Sequence, residues 1–147
     1  MKKAMKLIVL FLIFNIILVS YPKKVQANEV YRKKIVYLTF DDGPSFSNTD
    51  CILDILCKNN IKATFCVVGN NVIVNKGTTK RLSNLGMGII PHCNCHEYNS
   101  LYLSLESYMD DLEKCKNNIN KTIGEKRNYK MVRIPGGSAN TVCPQNI

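Results

Sequence analysis

The stretch IVYLTFDDGP, residues 35–44, decides the fold of this chain. Its first six residues are β-branched, aromatic or aliphatic, which is the composition of a short, mostly buried strand. The run Asp41-Asp42-Gly43-Pro44 then breaks the strand sharply. The sequence therefore predicts a strand over residues 35–40 with two adjacent carboxylates directly after it.

Strands and helices alternate along the rest of the chain. The clearest helix covers 105–123, where apolar residues recur at a spacing of 3.6 and Gly124 provides the stop. The other predicted elements are a helix over 50–58 capped by Thr49, a strand over 63–68, a helix over 79–85, a strand over 87–90 and a strand over 131–134. This alternation predicts an α/β fold with βαβ units around a parallel sheet or barrel.

The polar residues of interest fall where such a fold places its functional groups, at the carboxyl ends of strands. Asp41 and Asp42 follow the first predicted strand, His92 follows the third, and Arg133 lies in the fourth. We therefore expect these side chains to share one site.

His92 and His96, the two histidines of the chain, are predicted to bind a metal. Residues four apart on a helical turn point the same way, and neutral imidazoles so placed commonly hold zinc or a similar divalent ion. One aspartate could supply the carboxylate ligand while its neighbour accepts a proton from water. Two solvated surface histidines are the less favoured alternative.

The intervening thiols offer a rival, because His92-Cys93-Asn94-Cys95-His96 could form a local Cys/His zinc knot. Structural zinc sites usually take ligands from two chain segments, with two to four residues between paired cysteines. A single residue separates this pair, which disfavours the knot and excludes a two-cysteine haem attachment sequence.

The cysteine count is seven, and an odd number argues weakly against a disulfide framework. Cys51, Cys57, Cys66 and Cys115 occupy apolar positions of predicted elements, so they are predicted to be small buried hydrophobic residues.

The N-terminal segment 1–27 has the parts of a secretory signal: three early lysines, an apolar run over 7–19 broken only by Asn15, and small residues at the signal-peptidase positions of Val25-Gln26-Ala27. An uncleaved membrane anchor is the alternative, and it would be the chain's one membrane contact.

Removing the segment takes five positive charges from the net +9 and leaves about +4 on residues 28–147. That mild charge suits an anionic cell-wall surface and gives no support for nucleic-acid binding. The predicted location is secreted or cell-envelope.

Four ordered segments carry a family resemblance. They are TFDDGP at 39–44, KATF at 62–65, PHCNCH at 91–96 and RIPGG at 133–137. Together they resemble the motifs of polysaccharide deacetylases of the NodB-homology type, carbohydrate esterase family 4. The resemblance implies a distorted (β/α) barrel.

The same resemblance implies roles for the site residues. Asp41 would be the general base, Arg133 would orient it, and Asp42, His92 and His96 would bind a divalent metal, zinc ahead of cobalt or manganese. The implied reaction is hydrolysis of N-acetyl groups from an N-acetylglucosamine-type polysaccharide, releasing acetate. Cell-wall peptidoglycan is favoured over chitin-type chains, and the backbone after the RIPGG proline would line the groove.

Departures from the family pattern limit this expectation. Cys93 stands where the family usually has Ser or Thr. The chain has no Trp and no His after His96, so the later Asp-Trp and Leu-x-His segments, which supply the general acid, have no counterpart. Residues 28–147 are therefore expected to form a partial barrel that lacks its C-terminal part. The alternative function is a truncated, non-catalytic remnant that at most binds metal or glycan.

Overall fold

The computed structural model describes residues 34–137 together with Lys3, Met5 and Lys6. The predicted signal segment 1–27 otherwise lies outside the described residues, as does Cys143. The chain divides into two compact units, residues 1–34 and 35–147, and the account below concerns the second. Among the helices described, none combines the length and the apolar character needed to cross a membrane.

A parallel sheet forms the centre of this unit and confirms the predicted α/β class. Its strands are β1 (Thr39–Gly43), β2 (Thr64–Val68) and β3 (Gly88–Cys93), ordered β1-β2-β3. Because sequential parallel strands need crossovers, helices follow β1 and β2 and pack against the sheet.

Five helices accompany the sheet in the described part of the chain. They are α1 (Asn48–Lys58), α2 (Gly69–Val74), α3 (Lys76–Asn84), α4 (Tyr98–Leu101) and α5 (Leu105–Ile123). Helix α1 connects β1 to β2, α2 and α3 connect β2 to β3, and α4 and α5 follow β3.

Helix α5 has the predicted bounds. Ser104 is its N-cap, and the Ser104 Oγ accepts a hydrogen bond from the Ser107 backbone N–H at 3.1 Å. Gly124 ends it with φ of 74°, a left-handed conformation that glycine adopts without a Cβ clash. The buried positions of its apolar face are Tyr108, Leu112, Cys115 and Ile119.

The buried side chains form two clusters. The larger lies between the sheet and the helices and includes Leu53 of α1, Phe65 and Val67 of β2, and Ile119 of α5. The smaller cluster comprises Val68, Cys93, Leu101, Tyr102, Tyr108 and Leu112. Cys93 lies between the two histidines, so apolar burial supports that segment.

The predicted strand over 35–40 was placed too early and was wrongly expected to be buried. Strand β1 begins at Thr39, and the side chains of Val36 and Tyr37 are 79% and 84% exposed. The Leu38 carbonyl accepts a hydrogen bond from the Thr64 N–H at 3.0 Å, but β2 begins only at Thr64. The earlier residues therefore have no β2 residue to pair with.

The predicted fourth strand over 131–134 is wrong, because this segment has no strand conformation. Within the described residues, it makes one backbone hydrogen bond to β3, from the Arg133 N–H to the Pro91 carbonyl at 3.2 Å. Pro91 has no N–H to offer in return, so the ladder does not continue there. Strand β3 itself runs through this proline to Cys93, three residues beyond the predicted end.

The predicted N-cap of the first helix is also wrong. Helix α1 begins at Asn48 after Ser47, and the Thr49 Oγ1 instead accepts a hydrogen bond from the Ser45 N–H at 2.9 Å. The predicted helix over 79–85 corresponds to α3, and the sequence reading missed the short α2 before it.

The burial prediction for the cysteines is half right. Cys66 and Cys115 are fully buried, whereas Cys51 and Cys57 are exposed. Both exposed cysteines lie on α1, whose buried residues Leu53 and Leu56 define the other face of that helix.

Candidate active site

Two irregularities of the sheet place the first pair of site residues. The β1–β2 register shifts between Asp41 and Gly43, and the β2–β3 register passes from Pro91 to Cys93. Asp42 and His92 are thus the extra residues of two bulges, a device that changes the direction of a side chain. The backbone φ of 66° at Asp42, in the left-handed region, turns its carboxylate away from that of Asp41.

Asp42, His92 and His96 converge on one point. The Nε2 atoms of both histidines lie 3.2 Å from the Asp42 Oδ1, and the three ligand atoms are all within 4.8 Å of one another. Two ligands of a tetrahedral zinc at 2.0–2.1 Å would be about 3.3 Å apart. The spacing and the donor types therefore fit a divalent cation, and the three residues form a potential metal-binding triad.

His92 is held by the backbone of the segment that follows α5. Its Nδ1 lies 2.7 Å from the Arg133 carbonyl oxygen, which can only accept, so Nδ1 carries the hydrogen and donates it. In the neutral ring the Nε2 lone pair then faces the carboxylate of Asp42. The His92 Nε2 and the Asp42 Oδ1 are both acceptors, so at this distance they need a cation or a proton between them. A hydrogen bond from the other ring nitrogen to a backbone carbonyl, like that from Nδ1 to Arg133, is typical of metal-binding histidines.

His96 lies in the loop after β3 and is about one-third exposed, whereas His92 is nearly buried. The ring centroid of His96 is 5.5 Å from that of His92 and 5.2 Å from that of Tyr98. The expected helical turn is wrong, because one histidine belongs to a strand and the other to a loop. The bulge and the turn bring them together instead.

Asp41 is paired with Arg133, as expected. The Arg133 Nη1 donates to the two carboxylate oxygens of Asp41 at 2.9 and 3.2 Å and to the Thr39 Oγ1 at 3.0 Å. Burial would raise the Asp41 pKa, but hydrogen bonds from Cys66 and Arg133 and the Arg133 charge outweigh it and leave the pKa below its ordinary value. The carboxylate is thus kept charged and fixed in direction.

A cleft of about 640 Å³ contains both groups. It is lined by Asp41, Asp42, His92, His96, Tyr98, Val132, Arg133, Ile134, Gly136 and Gly137. The turn at its far side is fixed by the Tyr102 hydroxyl, which donates to the Pro135 carbonyl at 2.6 Å. The backbone after Pro135 therefore lines the groove, as the motif resemblance implied.

The rival Cys/His zinc knot has no support among residues 34–137. Cys93 is fully buried in the smaller apolar cluster, and neither it nor Cys95 belongs to the group that could hold an ion. Burial also raises the Cys93 pKa, and this opposes the thiolate form that metal binding requires.

Three site neighbours were missed by sequence reasoning. The Asn71 Nδ2 donates to the Asp42 carbonyl at 2.8 Å, Tyr98 lines the cleft, and Thr39 contacts Arg133. Thr39 lay inside the quoted TFDDGP segment and could have been found there. Asn71 gave no local signal, because its contact joins parts of the chain that are 29 residues apart. Tyr98 lies only two residues after the second histidine, but a single tyrosine does not by itself indicate a site.

The arrangement is chemically suited to hydrolysis. A bound cation polarises a carbonyl, and an adjacent carboxylate held in its charged form accepts a proton from the attacking water. The open cleft leaves room for a substrate over both groups.

Comparison with known proteins agrees with this geometry. Residues 28–146 match the family model described as polysaccharide deacetylase. The chain belongs to the polysaccharide deacetylase family. It is 38% identical over 131 residues to the peptidoglycan-N-acetylglucosamine deacetylase PgdA of Listeria monocytogenes, covering 86% of this chain and 27% of that protein. A peptidoglycan-N-acetylglucosamine deacetylase of Bacillus cereus is 36% identical over 107 residues, covering 73% of this chain and 38% of that protein.

Solved structures of the family share the fold. The catalytic domain of a peptidoglycan N-acetylglucosamine deacetylase from Eubacterium rectale superposes with a TM-score of 0.67 at 38% identity. The match covers 74% of this chain and 48% of that structure. The chain therefore spans 27% and 38% of these two curated relatives and 48% of the solved domain.

Proposed function

We propose that this chain is a metal-dependent polysaccharide N-deacetylase that removes acetyl groups from the N-acetylglucosamine residues of peptidoglycan. The observation that carries the proposal is the Asp42/His92/His96 triad beside the Arg133-bound carboxylate of Asp41. The substrate class is supported by the names of the matched relatives, which act on peptidoglycan. Chitin-type oligosaccharides are the second substrate class.

Asp42, His92 and His96 would hold the ion, zinc first because two imidazoles and one carboxylate at tetrahedral spacing suit it. Cobalt and manganese are the alternatives. When bound, the ion supplies Lewis-acid polarisation of the acetamide carbonyl and positive charge beside the oxygen where negative charge develops.

Asp41 performs the proton transfer of the first step. Water adds its hydroxyl oxygen to the acetamide carbonyl carbon while its proton passes to the Asp41 carboxylate. Arg133 keeps that carboxylate charged before the step and aimed into the cleft. Cleavage of the carbon–nitrogen bond then releases acetate, and the leaving nitrogen takes up one proton, from Asp41 or from solvent, to become the free amine. Asp41 loses its proton to the nitrogen or to solvent, and its carboxylate is restored.

A second candidate function is binding of metal or glycan without turnover. It is favoured by one observation: both histidines of residues 1–147 belong to the triad, so no other imidazole in this segment can protonate the leaving amine. Loss of a general acid typically lowers a rate by about 10²- to 10⁴-fold. The two candidates therefore differ in turnover and share the same metal site.

We propose export through the segment 1–27, which would bring the remaining chain, with its mild positive charge, to the anionic cell wall.

Zinc content and acetate release from peptidoglycan and chitooligosaccharide test the proposal. We expect Asp42→Ala and His96→Ala to lose zinc, and Asp41→Asn to keep zinc and lose acetate release. Asp110→Asn, an exposed carboxylate on α5, is the matched control and should keep both. Zinc binding unchanged by the two alanine substitutions would overturn the site. Zinc binding without acetate release in the wild type would establish the second candidate.

A further inference from the structure

The loop between the two histidines is fastened to helix α5 by one carboxylate. The Asp111 Oδ2 accepts the Asn94 backbone N–H at 2.5 Å, and its Oδ1 accepts the Cys95 N–H at 3.0 Å. Two consecutive amides thus donate to the two oxygens of one ionised group. Charge-assisted hydrogen bonds of this kind are shorter and about twice as strong as neutral ones.

Asn94 is held at its remaining polar atoms as well. Its Oδ1 accepts from the Asn118 Nδ2 at 2.8 Å, and its carbonyl accepts the Asn70 N–H at 3.0 Å. Its own Nδ2 donates to the Asn70 Oδ1 at 3.2 Å. The peptide between the two histidines therefore has its position set by α2 on one side and by α5 on the other.

This fastening matters for His96 more than for His92. His92 lies in β3, and its ring is fixed by the Arg133 carbonyl. His96 lies beyond the end of the strand, and apart from Asp42 its described ring contacts are with other aromatic rings. The position of its Nε2 over Asp42 therefore depends on the loop backbone that precedes it.

We propose that Asp111 is a positioning residue for the metal triad, which sets the place of His96 through the backbone of Asn94 and Cys95. The inference rests on the proposed metal site and extends it to a residue outside the cleft. Asp111 is not among the residues that line the cleft. Replacing a residue that orients a metal ligand typically lowers the metal affinity by about 10- to 100-fold.

The test is titration of the metal-free full chain with cobalt(II), followed by its visible absorption. In Asp111→Asn one acceptor oxygen becomes an amide nitrogen, so one amide of the loop loses its partner. We expect about tenfold weaker cobalt binding and an altered visible spectrum, because the absorption reports the arrangement of the ligands. Asp110→Asn removes the same charge one residue earlier on α5 and should match the wild type in both measurements.

Hydrogen exchange of the metal-free chain gives a readout that does not need the ion. The amides of Asn94 and Cys95 should exchange faster in Asp111→Asn than in Asp110→Asn, since their hydrogen-bond acceptor is impaired. Equal exchange rates in the two variants would contradict the assigned hydrogen bonds from these two amides to Asp111. Equal cobalt affinity in the two variants would overturn the positioning role while leaving the metal site intact.

Two further outcomes separate this role from the site itself. A wild-type chain that binds no cobalt would overturn the proposed function, and the positioning role with it. If Asp111→Asn does not fold, Asn118→Ala removes the hydrogen bond to Asn94 from the same helix. That variant should bind cobalt up to about tenfold more weakly if the loop sets His96, and unchanged affinity would overturn the inference.

Discussion

Gly69 illustrates at the scale of a single residue how closely the site loop approaches its neighbours. A Cβ on this glycine would lie 2.3 Å from the Asn94 Oδ1 and 3.0 Å from the Cα of Cys115. Gly69 begins α2, and Asn94 is the centre of the loop between the histidines. A side chain here would push the loop from the helix that holds it.

Gly69→Ala should therefore destabilise the chain by about 1–3 kcal/mol, the usual cost of inserting a methyl group into a closely packed place. Gly77→Ala is the matched control, since nothing lies within 4 Å of a Cβ on that helical glycine. The control should be neutral or gain up to about 0.5 kcal/mol from helix propensity. Urea unfolding of both variants measures the difference, and equal free energies would contradict the expected clash.

Four of the five candidate site positions could be proposed from the sequence because their residue types are informative, whereas Arg133 drew its proposed role only from the presence of the other four. Adjacent aspartates in a turn and a histidine pair are unusual enough to suggest chemistry. Asn71 and Asp111 carry no such signal, because an isolated polar residue on a helix is normally a solvated one. Their contacts with the site depend on the crossing of helices over the sheet, which a single sequence does not specify.

At the scale of elements, α1 and α3 are joined by a polar cluster at Asp50. The Asp50 carboxylate accepts hydrogen bonds from the Arg81 guanidinium and the Thr78 hydroxyl, both at 2.8 Å. Arg81 also pairs with Asp54 one turn along α1. These hydrogen bonds, from Arg81 and then Thr78, hold the Asp50 pKa below its ordinary value in spite of some burial.

This shift predicts an acid-dependent loss of stability. A carboxyl whose folded pKa is lowered stabilises the fold fully above its unfolded pKa of about 4. The contribution is lost as the pH falls through the lower folded pKa. Asp50→Asn should therefore be less stable than the wild type at pH 7, and the difference should shrink toward about pH 3.

Thermal melts between these pH values measure the effect. Asp110→Asn controls for the loss of one negative charge from an exposed position. A difference between Asp50→Asn and the wild type that stays constant, or grows, in acid would contradict the assigned hydrogen bonds.

Elements were predictable in proportion to their length and regularity. Helix α5 was placed correctly because its apolar period extends over 19 residues between a serine cap and a glycine stop. The short α2 and α4, of six and four residues, have too few turns to show a period. The predicted strand bounds were wrong where pairing with a neighbouring strand decides them. Strand β1 begins late because β2 begins only at Thr64, and residues 131–134 form no strand because Pro91 of β3 has no N–H to pair with them.

At the scale of the whole second unit, the described sheet has three strands and leaves apolar side chains in contact with water. Val36, Tyr37 and Phe46 are 79%, 84% and 89% exposed around β1. Three strands cannot close a barrel, so the edges of this sheet are not covered by further strands within the described residues. Exposed apolar groups beside an edge strand favour association with other chains.

Replacing Val36 and Tyr37 together with threonine should therefore reduce association without weakening the fold. Both residues are mostly exposed to water and precede β1, so their replacement removes little buried area and leaves the strand itself unchanged. We expect lower fluorescence of a hydrophobic dye, less light scattering on heating and an unchanged free energy of unfolding.

The control variant is Val67→Thr, which makes the same replacement as Val36→Thr at a fully buried position of β2. It should cost about 1–3 kcal/mol, because a hydroxyl is buried in an apolar cluster. Scattering unchanged in the double variant would show that this surface is not what drives association.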